Sequence, residues 1–377
     1  MIAQINYLTN IRLGTGAMAS LNDELANLKV SKPLIITDAG MSSTGLLDKA
    51  KATAKLPDNV AIYDGTPANP TEVAVEEALE AYRSNNCDSI VAIGGGSSID
   101  LAKAVALLAT HKPPLRQYAA IDGGVAKIGP TVPLVAVPTT AGTGSEVGRA
   151  SLITLRDGRK LGFLSPYLIP DLAICDPELT RSLPANLTAA TGMDAIAHCV
   201  ETYLSPKINP PADAIALDGL RRASKYLIRA VNDGTDMEAR SEMMIAALEG
   251  ALAFQKGLGG VHSMSHALGG LKELKLHHGT LNAVLLPPVL RFNQSHCGDK
   301  FDHLKAAMGL AADADLPAEF ERLNAELGMP KNLREMGVPD EVLEDMAQFS
   351  EEDHSTATNP RPASAEDFLA MLKETMG

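Results

Sequence analysis

The apolar run SIVAIG at 89–94 passes through Gly95-Gly96-Ser97-Ser98 straight into a helical pattern over 99–109. This junction constrains the fold more than any other stretch. A strand that is apolar on both sides must be covered on both sides, and a strand handed directly to a helix pairs in parallel with the strand that follows. The same alternation stands upstream in LIIT (34–37), a helix over 46–54, VAIY (60–63) and a helix over 71–83 behind the turn GTPANP. Residues 5–14 are expected to give one or two short strands and 15–28 a first helix.

From about residue 183 the periodicity changes to amphipathic helix over 185–204, 211–232, 237–256, 260–271, 299–309, 317–326, 340–348 and 364–376, with no strand run of comparable strength. A chain of 377 residues exceeds what one hydrophobic core usually serves. The expectation is an α/β domain with a parallel, Rossmann-like sheet at 1–182 and an all-helical domain at 183–377; the glycine-rich strand-end loops make the first a dinucleotide-binding domain, and the histidine cluster at 257–279 makes the second a metal-binding, catalytic one. Neither an internal repeat nor a low-complexity tract interrupts this division.

Two loops at strand ends carry cofactor-type chemistry, since open α/β sheets bind nucleotides there. Gly94, Gly95 and Gly96 remove side chains so that backbone N–H groups and a helix start can meet a pyrophosphate, with Ser97 and Ser98 adding hydroxyls; a plain tight turn is the alternative. In VPTTAGTGSEV (137–147), Thr139, Thr140, Thr143 and Ser145 either line a groove for the nicotinamide half or satisfy turn backbone. Asp38, at the end of LIITD, can accept from both ribose hydroxyls of an adenosine and repel a 2′-phosphate, which favours NAD over NADP, or it caps a helix. A hairpin around Asp157-Gly158 puts Lys160 on its return strand, either within reach of a ribose or phosphate or simply exposed.

The stretch 257–279 holds His262, His266, His277 and His278, four of nine histidines. His262 and His266 are spaced one helical turn apart, as are Asp194 and His198 upstream. Two helices each offering such a pair can close on one divalent cation, with His277 or His278 completing the shell from the next loop. A single histidine at such spacing is more often a hydrogen-bonded core residue; it is the repetition that argues for a metal. Lys256, six residues before His262, either pairs with a substrate carboxylate or faces solvent.

The net charge of −13 leaves no basic stripe for nucleic acid or an anionic membrane surface. No apolar run reaches the roughly 18 residues that span a bilayer. Cys87, Cys175, Cys199 and Cys297 form no CxxC pair, and the opening MIAQINYLTN has no signal-peptide pattern, so reduced thiols and a cytoplasmic location are expected. A homodimer or larger homo-oligomer is an open alternative to a single chain.

Taken together, GGGSSID (94–100), PTTAGTGSE (138–146), ATGMDAIAHCVE (190–201), GLGGVHSMSHALGG (257–270), HGTLNAVLLP (278–287) and NPR (359–361) resemble the iron-containing, or group III, alcohol dehydrogenases in order and spacing over nearly the whole chain. That resemblance implies a dehydroquinate synthase-like architecture with one divalent metal. Carried over residue by residue, it gives Asp194, His198, His262 and His278 as ligands and His266 beside nicotinamide and substrate. The segment between His266 and His278 is about two residues longer than in the alcohol-oxidising members, which makes His277 a rival ligand. Ala150 replaces an asparagine that several members place near the cofactor ribose. For NAD the resemblance points to Asp38, Asn69, Gly95, Gly96, Ser97, Thr139, Thr143 and Lys160.

The expected activity is metal-dependent hydride transfer between NAD(H) and a small aliphatic alcohol or hydroxy acid and its aldehyde or semialdehyde, with Asp194, His262 and His266 at the chemistry. Fe²⁺ is the first expectation and Zn²⁺ the second. Two related chemistries compete: a sugar-phosphate lyase or cyclase resembling dehydroquinate synthase, and a metal-independent reductase resembling maleylacetate reductase. A non-catalytic binding protein of the same fold is a third alternative.

Overall fold

The runs of Val, Ile, Leu and Ala form strands where the alternation placed them, and their side chains divide strictly by parity. In the computed structural model, which describes Thr9–Gly377 except Lys272 and Lys275, the first compact unit comprises the described part of Leu8–Thr140 with Gly144–Ser182. Its elements are β1 (Ile11–Leu13), α1 (Leu21–Asn27), β2 (Pro33–Ile36), α2 (Ala39–Ser43), α3 (Leu46–Ala54), β3 (Ala61–Tyr63), α4 (Glu72–Ser84), β4 (Ser89–Gly94), α5 (Gly96–Thr110), β5 (Leu134–Pro138), β6 (Ala150–Thr154), β7 (Lys160–Leu164) and β8 (Leu172–Cys175). Six strands form one sheet in the order β1-β8-β5-β4-β2-β3, every pair parallel.

Leu34, Ile36, Ile90 and Ala92 pack into the apolar layer with α4 and α5, whereas Ile35, Val91 and Ile93 pack into the layer with α1 and α3. This is the period-two consequence of the pleat, and it requires a strand apolar on both faces. Strand β8 was not anticipated. Its four residues LAIC are too few to show a period, yet all are buried between β1 and β5. The expected first helix opens as a 3-10 turn at Ala17–Ser20 before α1, and the part of the first strand expectation at 5–8 lies outside the described residues. The antiparallel hairpin β6–β7 forms around Asp157-Gly158 as anticipated.

A buried polar knot fixes the second glycine-rich loop to α5. Lys103 Nζ, on a fully buried side chain, donates to Ser145 Oγ at 2.9 Å and to the Gly148 and Ala150 carbonyls at 2.8 Å. Asp100 accepts from Ser145 Oγ at 2.5 Å and from Leu152 N at 3.0 Å. Ser145 is therefore committed to this knot, which is the turn-satisfying alternative for that residue. Burial lowers the Lys103 ammonium to about 8 and raises the Glu146 carboxyl to about 7.

The second unit comprises Leu183–Gly377 with Ala141–Thr143 among its described residues. It holds α6 (Ala185–Leu204), α7 (Pro210–Asn232), α8 (Met237–Ala253), α9 (Gly260–Gly269), α10 (His278–Asn293), α11 (Lys300–Ala307), α12 (Leu316–Glu326), α13 (Leu343–Glu352) and α14 (Ala365–Met376). Helix α6 is buried at every position from Thr188 to Leu204, so whatever polar side chains it carries point into the interior. No helix of the described residues is long and apolar enough to cross a membrane.

Helix α10 is the main departure from expectation. Pro287 and Pro288 read as breakers, because proline lacks the N–H that would bond four residues back. Pro287 leaves the Ala283 carbonyl without its helical partner, and Asn324 on α12 supplies the replacement, donating Nδ2 to that oxygen at 2.6 Å. Burial of Leu281, Leu285, Leu286, Val289 and Leu290 contributes roughly 1.5–3 kcal/mol per side chain. That total outweighs the roughly 3 kcal/mol that each of the two helix-interior prolines costs.

Candidate functional site

Helices α6, α9 and α10 bring three imidazole nitrogens to one carboxylate oxygen. Asp194 Oδ1 lies 3.6 Å from His198 Nε2, 3.7 Å from His262 Nε2 and 3.6 Å from His278 Nε2. The ligand atoms of Asp194, His262 and His278 lie within 4.8 Å of one another, and His198 joins this group through the Asp194 oxygen. Ligand atoms sharing a tetrahedral ion at bonds of about 2.0–2.2 Å stand about 3.3–3.6 Å apart, which is close to the spacing found here. Glycine sets the approach of α10, since a Cβ on Gly279 would run into the Ala190 carbonyl of α6.

The charges fit a cation as well as the distances do. Burying a carboxylate costs several kcal/mol unless positive charge stands beside it. Burial raises the Asp194 carboxyl, but His198, His278 and His262 outweigh that and hold it well below the usual carboxylate range. Burial likewise lowers His262, yet its hydrogen bonds to Asp194 and Glu201 push it up to about 9. Burial lowers His198 to about 4 in spite of Asp194. One anionic oxygen facing three imidazoles, with a second carboxylate behind them, is a donor set short of positive charge, as a site for a divalent metal should be.

Glu201 is one of the residues at the site that sequence reasoning missed. Its Oε2 lies 2.6 Å from His262 Nδ1 and its Oε1 accepts from Val261 N at 2.7 Å. It thus aims the Nε2 of His262 and satisfies an orphan N–H at the start of α9. A signal was present, because Asp194, His198 and Glu201 recur at helical spacing on one face of α6. Asn359 of the NPR motif completes the same helix start, accepting from Gly260 N at 3.0 Å. Asn282 was also missed; it would have been legible only with α10 recognised, as the residue one turn after His278.

His266, on the next turn of α9, is buried and stacks on His278 with ring centres 5.5 Å apart and planes 9° off parallel. Its Nδ1 is 3.0 Å from Asp353 Oδ2, an oxygen that His354 Nδ1 approaches at 3.5 Å. Burial lowers His266, against the pull of Asp353. No sequence signal pointed to Asp353. Of the two neighbouring histidines, His278 enters the ligand group. His277 is exposed, with Nδ1 3.4 Å from Thr280 Oγ1.

The expectation for Lys256 needs correction. Its ammonium pairs with Asp213 and donates to the Tyr203 carbonyl at 3.1 Å, and the residue is 2% exposed. A lysine so placed ties the end of α8 to α6 and α7, and its ammonium is already engaged by Asp213 and the Tyr203 carbonyl rather than held out for a substrate carboxylate.

In the α/β unit the loops are shaped for backbone contact. Gly95, the residue before α5, has an extended backbone and no side-chain cap, so no side chain of the cap residue covers the first N–H groups of a long helix. A Cβ on Gly94 would come within 2.5 Å of Ser98 Oγ, whereas one on Gly95 would touch only Thr140, at 3.4 Å. Ser97 Oγ donates to the Ala68 carbonyl at 2.5 Å. Thr139, buried, donates its N–H to the Gly94 carbonyl at 3.0 Å, and Lys160 Nζ donates to Asn69 Oδ1 at 3.1 Å. Asp38 is the N-cap of α2, accepting with Oδ1 from Gly40 N and Met41 N, while its Oδ2 faces Gly94. Thr143 is assigned to the helical unit and Thr139 to the α/β unit.

Comparison with known proteins places the chain in a family. Residues 9–177 match the family described as iron-containing alcohol dehydrogenase, and residues 188–376 match the C-terminal family of the Fe-containing alcohol dehydrogenases. The chain is 51% identical to a 4-hydroxybutyrate dehydrogenase of Cupriavidus necator, with both chains covered completely. It is 38% identical to an NAD-dependent methanol dehydrogenase of Bacillus methanolicus over 97% of each chain. Its structure is similar to the crystal structure of a 1,3-propanediol oxidoreductase, with a TM-score of 0.92 and 35% identity over 99% of this chain and 100% of the other.

Proposed function

This chain belongs to the iron-containing alcohol dehydrogenase family, and from that premise we propose that it oxidises a short ω-hydroxy acid to its semialdehyde with NAD⁺, and runs the reverse reaction, on an Fe²⁺ or Zn²⁺ centre. Membership makes it an NAD(H)-linked oxidoreductase of small alcohols or hydroxy acids. The dehydrogenase names of the relatives favour this reading over the lyase, the metal-independent reductase and the non-catalytic protein. The observation that carries the reading is the convergence of three imidazoles on one buried Asp194 oxygen. The hydroxy-acid preference draws support from the 51% identity to a 4-hydroxybutyrate dehydrogenase.

Asp194, His198, His262 and His278 would hold the metal. When bound, it supplies Lewis acidity that acidifies the alcohol oxygen, or polarises the carbonyl in reverse. One carboxylate and three neutral imidazoles leave much of the ion's charge uncancelled, and Glu201 keeps His262 aimed with its Nε2 inward. NAD⁺, when bound, would supply the acceptor for the C–H electron pair of the carbinol carbon, and the hydroxyl proton would depart separately. His266, held through Nδ1 by Asp353, receives that proton. Hydride transfer requires the two carbons to meet within roughly 3–3.5 Å. The backbone of Gly95 and Gly96, the hydroxyls of Ser97, Thr139 and Thr143, and the Asn69–Lys160 pair would hold the cofactor. The second oxygen of Asp38 would face a ribose and exclude a 2′-phosphate.

Protein purified without oxygen and loaded with Fe²⁺ or Zn²⁺ tests the proposal, with NADH formation followed across alcohols and ω-hydroxy acids of three to six carbons. The expected result is metal-dependent NADH formation with the highest kcat/KM on an ω-hydroxy acid. Equal or higher kcat/KM on the uncharged alcohol of the same length overturns the substrate assignment, and full activity after chelation overturns the metal.

A further inference from the structure

Three imidazoles stack as a ladder in the helical unit, and only the first of them belongs to the Asp194 group. His278 lies on His266, and His266 lies on His354 with ring centres 5.6 Å apart and planes 16° off parallel. Asp353 closes the outer part of this ladder. Its Oδ2 stands 3.0 Å from His266 Nδ1 and 3.5 Å from His354 Nδ1, while its Oδ1 accepts from Ser355 N at 2.8 Å. One hydrogen bond is enough to orient His266, so the second imidazole at the same oxygen is surplus to that task. One nitrogen of each ring and one Asp353 oxygen lie within 4.8 Å of one another, and none of these residues is shared with the Asp194 group.

We propose that His266, Asp353 and His354 form a second site for a divalent transition-metal ion such as Zn²⁺, filled when metal exceeds what the first centre takes. Separations of 3.0 and 3.5 Å compare with the about 3.3–3.6 Å between ligand atoms of a tetrahedral ion, so a cation enters with little movement of the side chains. Two imidazoles and one carboxylate select zinc, cobalt or nickel over magnesium and calcium, which prefer oxygen shells. The frame is already held in place. Thr356 Oγ1 meets Ser263 Oγ at 2.7 Å and Thr358 Oγ1 donates to the Leu258 carbonyl at 2.6 Å, which pins the turn after Asp353 to α9 and to the residues leading into it. The His354 side chain is 33% exposed, which leaves a route from solvent, whereas Asp194 is 3% exposed. Three protein ligands hold an ion less tightly than four, so this site fills second.

The consequence for turnover rests on the proton role proposed above for His266. An imidazole that gives its Nδ1 lone pair to a cation carries its proton on Nε2 and cannot receive another there. Metal in excess of the first equivalent should therefore inhibit.

Zn²⁺ titration of wild-type protein already holding one equivalent, followed by calorimetry, tests the site. The expected result is a second, weaker equivalent, with NADH formation on an ω-hydroxy acid falling as it binds and no such effect from Mg²⁺. His354→Phe keeps a ring against His266 and removes a ligand nitrogen. It should keep the first equivalent, bind the second about tenfold more weakly or worse, and shift the inhibition to correspondingly higher Zn²⁺. No second equivalent in the wild type, or one that His354→Phe binds as tightly, overturns the site. Zinc anomalous diffraction from wild-type crystals carries the test if His354→Phe does not fold: an ion about 2.0–2.2 Å from all three side chains is expected, and a second ion seated elsewhere overturns the proposal. A second ion on these three residues with turnover undiminished supports the site and overturns the proton role of His266 instead.

Discussion

The ligand group of the helical unit and the glycine loops of the α/β unit solve opposite problems. The first is written in side chains: Asp194, His198, His262 and His278 project from helices α6, α9 and α10, Glu201 and Asn282 hydrogen-bond to them from behind, and Asn359 holds the start of α9. The second is written in backbone, where Gly94–Gly96 remove side chains so that a helix start is left bare. Deleting a side chain should therefore wreck the first site and barely touch the second, while adding a methyl group should do the reverse.

The largest expected effect is on the side-chain site. Asp194→Ala should lose its metal by elemental analysis and lower kcat/KM by about a thousandfold or more, the equivalent of several kcal/mol of Lewis-acid stabilisation, with the helical circular dichroism retained. A metal-replete, active Asp194→Ala protein would break the comparison. Glu201→Gln should retain the fold and weaken metal affinity about 10–100-fold, measured by chelator competition, because His262 loses its anionic anchor. On the backbone side, Gly95→Ala has room in the apo protein, since the nearest atom to its Cβ is 3.4 Å away. Its Tm should stay within about 2 °C while NAD⁺ affinity, by calorimetric titration, falls about tenfold, or about 1.4 kcal/mol. Unaltered NAD⁺ affinity would mean that the cofactor does not approach that backbone.

Asp38→Gly sits between the two modes, since one carboxylate oxygen caps α2 and the other is open towards Gly94. The ratio of kcat/KM for NADP⁺ to that for NAD⁺ should rise about tenfold, with only a few tenths of a kcal/mol lost from the cap. An unchanged ratio refutes the ribose contact.

The smallest effect uses Glu249 on α8, a half-buried carboxylate that, unlike Asp194, has no imidazoles around it. Burial first, and then the neighbouring Asp218, raise it to about 8, against the pull of Arg222. Because its folded value lies above the unfolded carboxyl near 4.5, the folded state holds a proton that the unfolded state has lost between those values. Stability therefore falls as pH rises from about 4.5 through about 8. Glu249→Gln should remove that slope, raising stability by about 1–2 kcal/mol at pH 8.5, or roughly 2–8 °C in Tm, with little change at pH 5. A wild-type slope retained in the variant would move the titration to another group.

Local periodicity made the fold class legible. Apolar strands such as 89–94 must be covered on both faces, and the run from 185 to 204 must be helical, because those demands come from neighbouring residues; that the helix is buried on every side from Thr188 on was decided by its packing. Asp194 and His198, or His262 and His266, could be paired for the same reason. Residues whose role depends on a distant partner were not legible. Helix α10 survives Pro287-Pro288 because Asn324 serves the carbonyl left open and a core closes over it. Lys256 is absorbed by Asp213 and Tyr203, 43 and 53 residues away in sequence.

The sequence alone thus determined an α/β half, a helical half and the donor atoms available to a metal, since hydrophobic period and side-chain chemistry are properties of a short stretch of chain. Only the tertiary structure decided that His278 and not His277 joins Asp194, that Glu201 anchors His262, and that Asn282, 88 residues from Asp194, lies against the same oxygen. Those choices follow from how closely α6, α9 and α10 approach one another, and helix approach is set by the packing of the whole core.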